Sequence, residues 1–126
     1  MSLGQIRQRV LIVDDEEPIR NVVSDVLTDE GYDVSVAVDG SDALSSCRRN
    51  DPDLILLDLN MPGVDGRAFL TAYRREPGEH APVVVFSAVQ SARRVADEMH
   101  ADGFLNKPFV IADLADIVRR HLAPVA

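Results

Sequence analysis

Residues 10–31 read VLIVDDEEPIRNVVSDVLTDEG. Val10-Leu11-Ile12-Val13 is an unbroken apolar run, the pattern of a strand covered on both faces. It stops at three consecutive acids, Asp14-Asp15-Glu16. Pro18 then suits the first turn of a helix, where its missing N–H costs nothing and its φ is already helical. Ile19, Val22, Val23, Val26 and Leu27 follow at i, i+3, i+4, i+7 and i+8, which predicts one buried helical stripe. Gly31 can take the left-handed conformation that ends such a helix. The stretch spells strand, acidic turn, helix and stop.

The same unit recurs. Leu54-Ile55-Leu56-Leu57 and Val83-Val84-Val85-Phe86 are further continuous runs. Val34, Val36 and Val38 alternate with Ser35 and Ala37, as on a less buried edge strand. Phe104-Leu105 is a fifth, shorter run. Between the runs, Ser41 is the expected cap of a helix burying Ala43, Leu44 and Cys47. Phe69, Leu70 and Tyr73 mark a third helix. Ala92, Val95, Ala96 and Met99 mark a fourth, and Leu114, Ile117, Val118 and Leu122 a fifth. Strict alternation of strand and helix predicts an α/β fold, a single doubly wound five-stranded parallel sheet with right-handed crossovers and five helices. The edge character of the second and fifth strands favours the order 2-1-3-4-5. The domain is expected over residues 9–122, with 1–8 and 123–126 as tails.

Composition narrows the chemistry. A chain of 126 residues fits one domain and needs no metal or disulfide staple. Thirteen basic against 21 acidic residues give a net charge of −8. Such a domain repels phosphate backbones and anionic lipid, so neither direct nucleic-acid binding nor membrane contact is expected. A single cysteine, Cys47, excludes an intramolecular disulfide and a multi-cysteine zinc site. His80, His100 and His121 lie far apart and are expected at exposed loops or helix ends. The pairs Arg74-Arg75, Arg93-Arg94 and Arg119-Arg120 are expected on solvated helix ends or faces. No apolar run approaches the ~18 residues of a membrane span, and residues 1–8 lack a secretory apolar region. Cytoplasmic localisation is the expectation.

In open α/β sheets ligands bind beyond the carboxyl ends of the strands, where the strand order reverses. The first strand ends in Asp14-Asp15-Glu16, the third in Asp58 and the fourth in Ser87, and the fifth runs into Asn106-Lys107-Pro108. With strands one and three adjacent, Asp14, Asp15 and Asp58 converge. At ~5 Å and an effective dielectric near 20, each carboxylate pair repels by about 3 kcal/mol. Helix capping gives no reason for three acids and a lysine at one edge. A hard divalent cation relieves the repulsion, and all-oxygen donors suit Mg²⁺, with Mn²⁺ as an alternative. Three carboxylates, one divalent cation and Lys107 sum to zero charge. Such a site is receptive to a phosphoryl group, and a carboxylate can be the nucleophile that forms an acyl phosphate. Asp58 is central and is the candidate nucleophile. Asp14 and Asp15 would hold the metal, and Ser87 would donate to a phosphoryl oxygen.

Taken together, Val10-Leu11-Ile12-Val13-Asp14-Asp15, residues 58–66 (DLNMPGVDG), Val85-Phe86-Ser87-Ala88 and Lys107-Pro108-Phe109 resemble the receiver domain of two-component response regulators, a flavodoxin-like fold. The match covers residues 9–122. The resemblance implies that Asp58 accepts a phosphoryl group from the phosphohistidine of a sensor histidine kinase or phosphotransfer protein. It implies direct Mg²⁺ ligation by Asp15, Asp58 and the Asn60 backbone carbonyl, with Asp14 acting largely through water. Lys107 would pair with a phosphoryl oxygen, and the Lys107-Pro108 bond would be cis. Ser87 and Phe104 would form a switch pair, relaying the change to the face made by the fourth helix, fifth strand and fifth helix. Such a protein is a regulator, with only self-catalysed transfer and slow autodephosphorylation, and it acts on a downstream effector or output domain. A phosphorylation-dependent homodimer is a further implied partner, with Arg93, Arg94, Asp97 and Arg119 as candidate surface.

The chain departs from the family pattern in places. Ser87 to Lys107 is about two residues shorter than is common, which predicts a trimmed fourth helix or entry loop. Val110-Ile111-Ala112 offers no capping side chain. Asn60 and Val89 occupy positions that influence acyl-phosphate lifetime in this family. A haloacid-dehalogenase-like phosphatase would need an acid two residues after the nucleophile, where Asn60 stands. A flavin binder would need a phosphate cradle where Asp14, Asp15 and Glu16 repel one. A degenerate receiver would lack one of the acids or the lysine, and all are present.

Overall fold

The computed structural model describes residues 7–59, 66–87 and 92–122. Five strands alternate with five helices: β1 (Arg9–Val13), α1 (Glu17–Asp29), β2 (Asp33–Ala37), α2 (Gly40–Arg49), β3 (Leu54–Asp58), α3 (Gly66–Arg75), β4 (Val83–Ser87), α4 (Ala92–Glu98), β5 (Gly103–Asn106) and α5 (Ile111–His121). The strands form one parallel sheet in the order β2-β1-β3-β4-β5. This is the expected doubly wound architecture.

The continuous apolar runs arise because alternate side chains enter opposite layers. Val10, Ile12, Leu54, Leu56, Val84 and Phe86 join Val23 and Leu27 of α1 and Leu114, Ile117 and Val118 of α5. Leu11, Val13, Ile55, Leu57 and Val83 join Ala43 and Cys47 of α2 and Phe69, Leu70 and Tyr73 of α3. In the edge strand β2 only Ala37 is fully buried, while Val36 is exposed.

Three local expectations are corrected. Val22 belongs to the predicted stripe of α1 yet is 50% exposed. The helix turns Val23 and Leu27 into the core, and Val22, about 100° round the helix from Val23, falls on its flank. Ser41 is not the cap of α2. Asp39 is, its carboxylate accepting from the Asp42 N–H at 2.8 Å, while the Asp42 carboxylate accepts from the Val38 N–H at 3.1 Å. The cap thus sits two residues upstream of the serine, at Asp39, with the N–H groups of Asp42 and Val38 as the donors. Met99 lies beyond α4, which at seven residues is the shortest helix described.

Helix ends follow the chain's stop signals. Gly31 has φ +96°, and the N–H groups of Gly31 and Tyr32 donate to the carbonyls of Thr28 and Leu27 at 3.0 and 3.1 Å. These are the two bonds of a Schellman stop. The end of α4 repeats the pattern with a residue not suited to it. His100 has φ +54°, and the N–H groups of His100 and Ala101 donate to Asp97 and Ala96 at 3.2 and 2.9 Å. As expected, Val110 begins α5 with no side-chain cap. No helix among the described residues is long and apolar enough to cross a membrane.

Candidate functional site

The register places Val13 beside Leu57 on adjacent parallel strands, so the residues that follow them emerge at the same edge. These are Asp14 and Asp58, both 0% exposed. Every polar atom of Asp14 is engaged. Its N–H donates to the Ala37 carbonyl at 3.1 Å, and its own carbonyl accepts from Nη1 of Arg20 at 2.9 Å. Its Oδ1 accepts from the Glu16 N–H at 2.8 Å, and its Oδ2 accepts from Nζ of Lys107 at 2.9 Å.

Lys107 arrives from the far side of the sheet. It follows Asn106, which pairs with Ser87 at the end of β4, and the Lys107-Pro108 peptide is cis as expected. Its side chain is only 8% exposed. Nζ also donates to Asp58 Oδ2 at 3.3 Å, stands 3.9 Å from Glu16 Oε1, and lies 4.7 Å from the centre of the Phe86 ring, a cation–π distance. Burial works to lower the Lys107 pKa. The Asp14 hydrogen bond and the charges of Asp58 and Asp14 outweigh that and hold it above its ordinary value of 10.5.

One carboxylate oxygen from each of Asp14, Asp15, Glu16 and Asp58 falls within a mutual 4.8 Å. The predicted convergence of Asp14, Asp15 and Asp58 is therefore present, with Glu16 as an addition. The sequence showed Glu16 beside its neighbours but gave no reason for it to turn back. The Asp14 side chain bonds the backbone two residues on, an Asx turn that curls Glu16 over the site. Four acids with one ammonium among them leave an excess of negative charge. An all-oxygen donor set of this kind fits a hard divalent cation such as Mg²⁺.

The other predicted residues divide. Phe104 is half-buried on β5, beside Val85. The Ser87 backbone ends β4, while its hydroxyl lies outside what is described, as do Asn60, residues 61–65, Ala88 and Val89. Gly66 begins α3 against the end of β3: a Cβ there would lie 2.9 Å from the Asp58 carbonyl oxygen.

Arg74 is exposed at the end of α3 as expected, and His121 ends α5 but is half-buried; both also bind backbone carbonyls. The guanidinium of Arg74 donates to the carbonyls of Met99 and, at 2.8 Å, of His100, tying α3 to the end of α4. The ring nitrogens of His121 contact the carbonyl oxygens of Ile117 at 2.8 Å and Asp102 at 3.1 Å. His121 is half-buried against Gly103, where a Cβ would come within 2.9 Å of the ring. Neither contact is visible in local sequence, since each partner is a backbone carbonyl.

Comparison with known proteins bears on this site. The family model described as the response regulator receiver domain matches residues 10–119. The transcriptional regulatory protein PrrA of Mycobacterium tuberculosis is 43% identical over 124 residues, 97% of this chain and 53% of that protein. The DNA-binding response regulator MtrA of Mycolicibacterium smegmatis is 38% identical over 122 residues, 95% of this chain and 53% of that protein. The chain thus spans about half the length of these curated relatives. Among solved structures, the chemotaxis response regulator CheY4 of Vibrio cholerae superposes with a TM-score of 0.85 at 33% identity, covering 93% of this chain and 100% of that one. The receiver domain of NtrX from Brucella abortus gives 0.82 at 33% identity, covering 90% and 97%.

Proposed function

The chain belongs to the response regulator receiver domain family, and on that premise we propose that it is a phosphorylation switch whose acceptor is Asp58. The observation that carries this reading is the pairing of a fully buried Asp58 with Lys107 beside three further carboxylates. A phosphohistidine on a sensor histidine kinase or phosphotransfer protein supplies the phosphoryl group. An Asp58 carboxylate oxygen forms the new P–O bond as the P–N bond breaks, and the imidazole leaves. A bound Mg²⁺ neutralises charge on the transferring oxygens. As the family resemblance implies, Asp15, Asp58 and the Asn60 carbonyl would hold the ion directly and Asp14 would act largely through water, in keeping with the hydrogen bonds that both Asp14 carboxylate oxygens accept. Lys107 exchanges its contact with Asp58 for one with a phosphoryl oxygen.

Ser87 and Phe104 then relay the change to α4, β5 and α5. Val110 and Ile111, exposed just beyond the Lys107-Pro108 bond, offer apolar surface to the donor protein. The longer relatives are named as transcriptional or DNA-binding regulators. In a protein of that kind this acidic domain reports phosphorylation state and leaves DNA contact to another segment.

Intact mass after incubation with a small phosphodonor and Mg²⁺ tests the acceptor. One phosphoryl adduct is expected, lost with EDTA and absent from Asp58→Asn. A folded, Mg²⁺-binding protein that takes no phosphoryl group from either a small donor or a phosphorylated histidine kinase would overturn it.

A further inference from the structure

We infer that Arg20 is a positioning residue of the acidic site, fixing the turn that carries Asp14, Asp15 and Glu16 and thereby setting the site's affinity for a divalent cation. The inference rests on the cation reading above and adds a residue to it.

The turn between β1 and α1 is three residues long, and its exit is poorly secured. Glu16 occupies the N-cap position of α1 without a side-chain cap bond, and Pro18 brings no N–H to the first turn. Helix starts ordinarily gain their order from such a cap. Here the helix supplies a different tie. Arg20, one turn into α1, folds its side chain back and donates from Nη1 to the Asp14 carbonyl at 2.9 Å. Its own N–H donates to the Glu16 carbonyl at 3.0 Å. That second bond is the first ordinary i→i−4 bond of the helix, which any residue but proline would make here, so what Arg20 alone supplies is the side-chain tie to Asp14. The bond is partly buried, and its acceptor is a carbonyl, not a carboxylate.

Asp14 is further held by the Glu16 N–H within the turn and, from elsewhere, by Ala37 at the end of β2 and Lys107 beyond β5. Lys107 is the support that must let go in part when charge enters the site. Arg20 bonds the backbone and is untouched by that exchange. It keeps the acids in register while the ammonium moves. Groups that orient metal ligands from behind commonly change affinity 10- to 100-fold when removed.

Charge and positioning predict opposite signs, which makes the inference testable. Deleting a nearby positive charge by itself deepens the negative potential and tightens cation binding. Deleting a positioning bond loosens the turn and weakens binding. Calorimetric titration with Mg²⁺ alone should show Arg20→Ala binding about 10-fold more weakly than the parent, with Arg20→Lys, which keeps a donor, recovering most of the loss. Amide exchange in the metal-free protein should be faster at the Glu16 N–H in Arg20→Ala, with core amides of β3 unchanged. If Arg20→Ala does not fold, Arg20→Met keeps the aliphatic stem and serves in its place. Equal or tighter Mg²⁺ binding by the variant overturns the inference. A parent that binds no Mg²⁺ overturns the cation reading itself; the Arg20 tie is then judged on Glu16 exchange, and unchanged exchange overturns it.

Discussion

Replacing Asp58 by Asn should stabilise the metal-free protein. Asp58 is fully buried, 3.3 Å from Lys107 and within 4.8 Å, oxygen to oxygen, of Asp14, Asp15 and Glu16. At an effective dielectric near 20, attraction to Lys107 is worth about 5 kcal/mol and repulsion from each acid about 3.5 kcal/mol. Glu16 is more than half exposed, and solvent screens its share. Counting Asp14 and Asp15 alone, repulsion totals about 7 kcal/mol against about 5 kcal/mol of attraction. The net gain on neutralising Asp58 is therefore roughly 2 kcal/mol, and Asn still offers Lys107 an oxygen. For a domain of this size that corresponds to a rise in Tm of the order of 8 °C. Urea and thermal unfolding in EDTA measure it. Mg²⁺ at ten times its Kd should then raise the parent by about 1.4 kcal/mol and the variant by less. If Asp58→Asn melts at or below the parent in EDTA, the carboxylates are not in repulsive conflict and the charge argument for a cation site fails.

The opposite change, Lys107→Met, leaves two buried carboxylates without their cation and should cost about 3–5 kcal/mol in urea unfolding. Because the folded Lys107 pKa is raised above 10.5, the stability it brings is complete below that pH and is lost as pH rises through the folded value. The parent should show this alkaline loss and Lys107→Met should not, which unfolding at a series of pH values reads directly. His100→Gly relieves a left-handed residue at the end of α4 and should raise stability by about 1 kcal/mol; a lower Tm would show that the His100 ring itself is needed. Asp39→Ala should cost about 1 kcal/mol through loss of the α2 cap, whereas Ser41→Ala should change unfolding by less than ~0.5 kcal/mol.

The parts of the fold legible in the chain are those set by local periodicity. Val10 to Val13, Leu54 to Leu57 and Val83 to Phe86 announce strands with two covered faces, and both cores are built on them. Asp14, Asp15 and Asp58 could be brought together on paper because strand order follows from which runs look like edges. The less visible features depend on how much neighbouring surface is available. Val22 has the spacing of a core residue, but the docking angle of α1 turns Val23 and Leu27 inward and leaves Val22 on the flank, 50% exposed. Ser41 and Asp39 are both capping residues, and only the backbone's departure point decides between them.

Spacing and residue type by themselves determined the five βα units, the strand order and the meeting of three acids with Lys107, because an apolar period states which way each side chain must face. Only the tertiary structure decided that Glu16 curls back over the site, that Arg20 reaches the Asp14 carbonyl, that Arg74 bonds the end of α4 and that His121 spans Ile117 and Asp102. The partners in most of these contacts are backbone carbonyls, which every residue carries. A side-chain alphabet cannot say which of them lies within hydrogen-bond reach of a guanidinium or an imidazole until the helices are packed on the sheet.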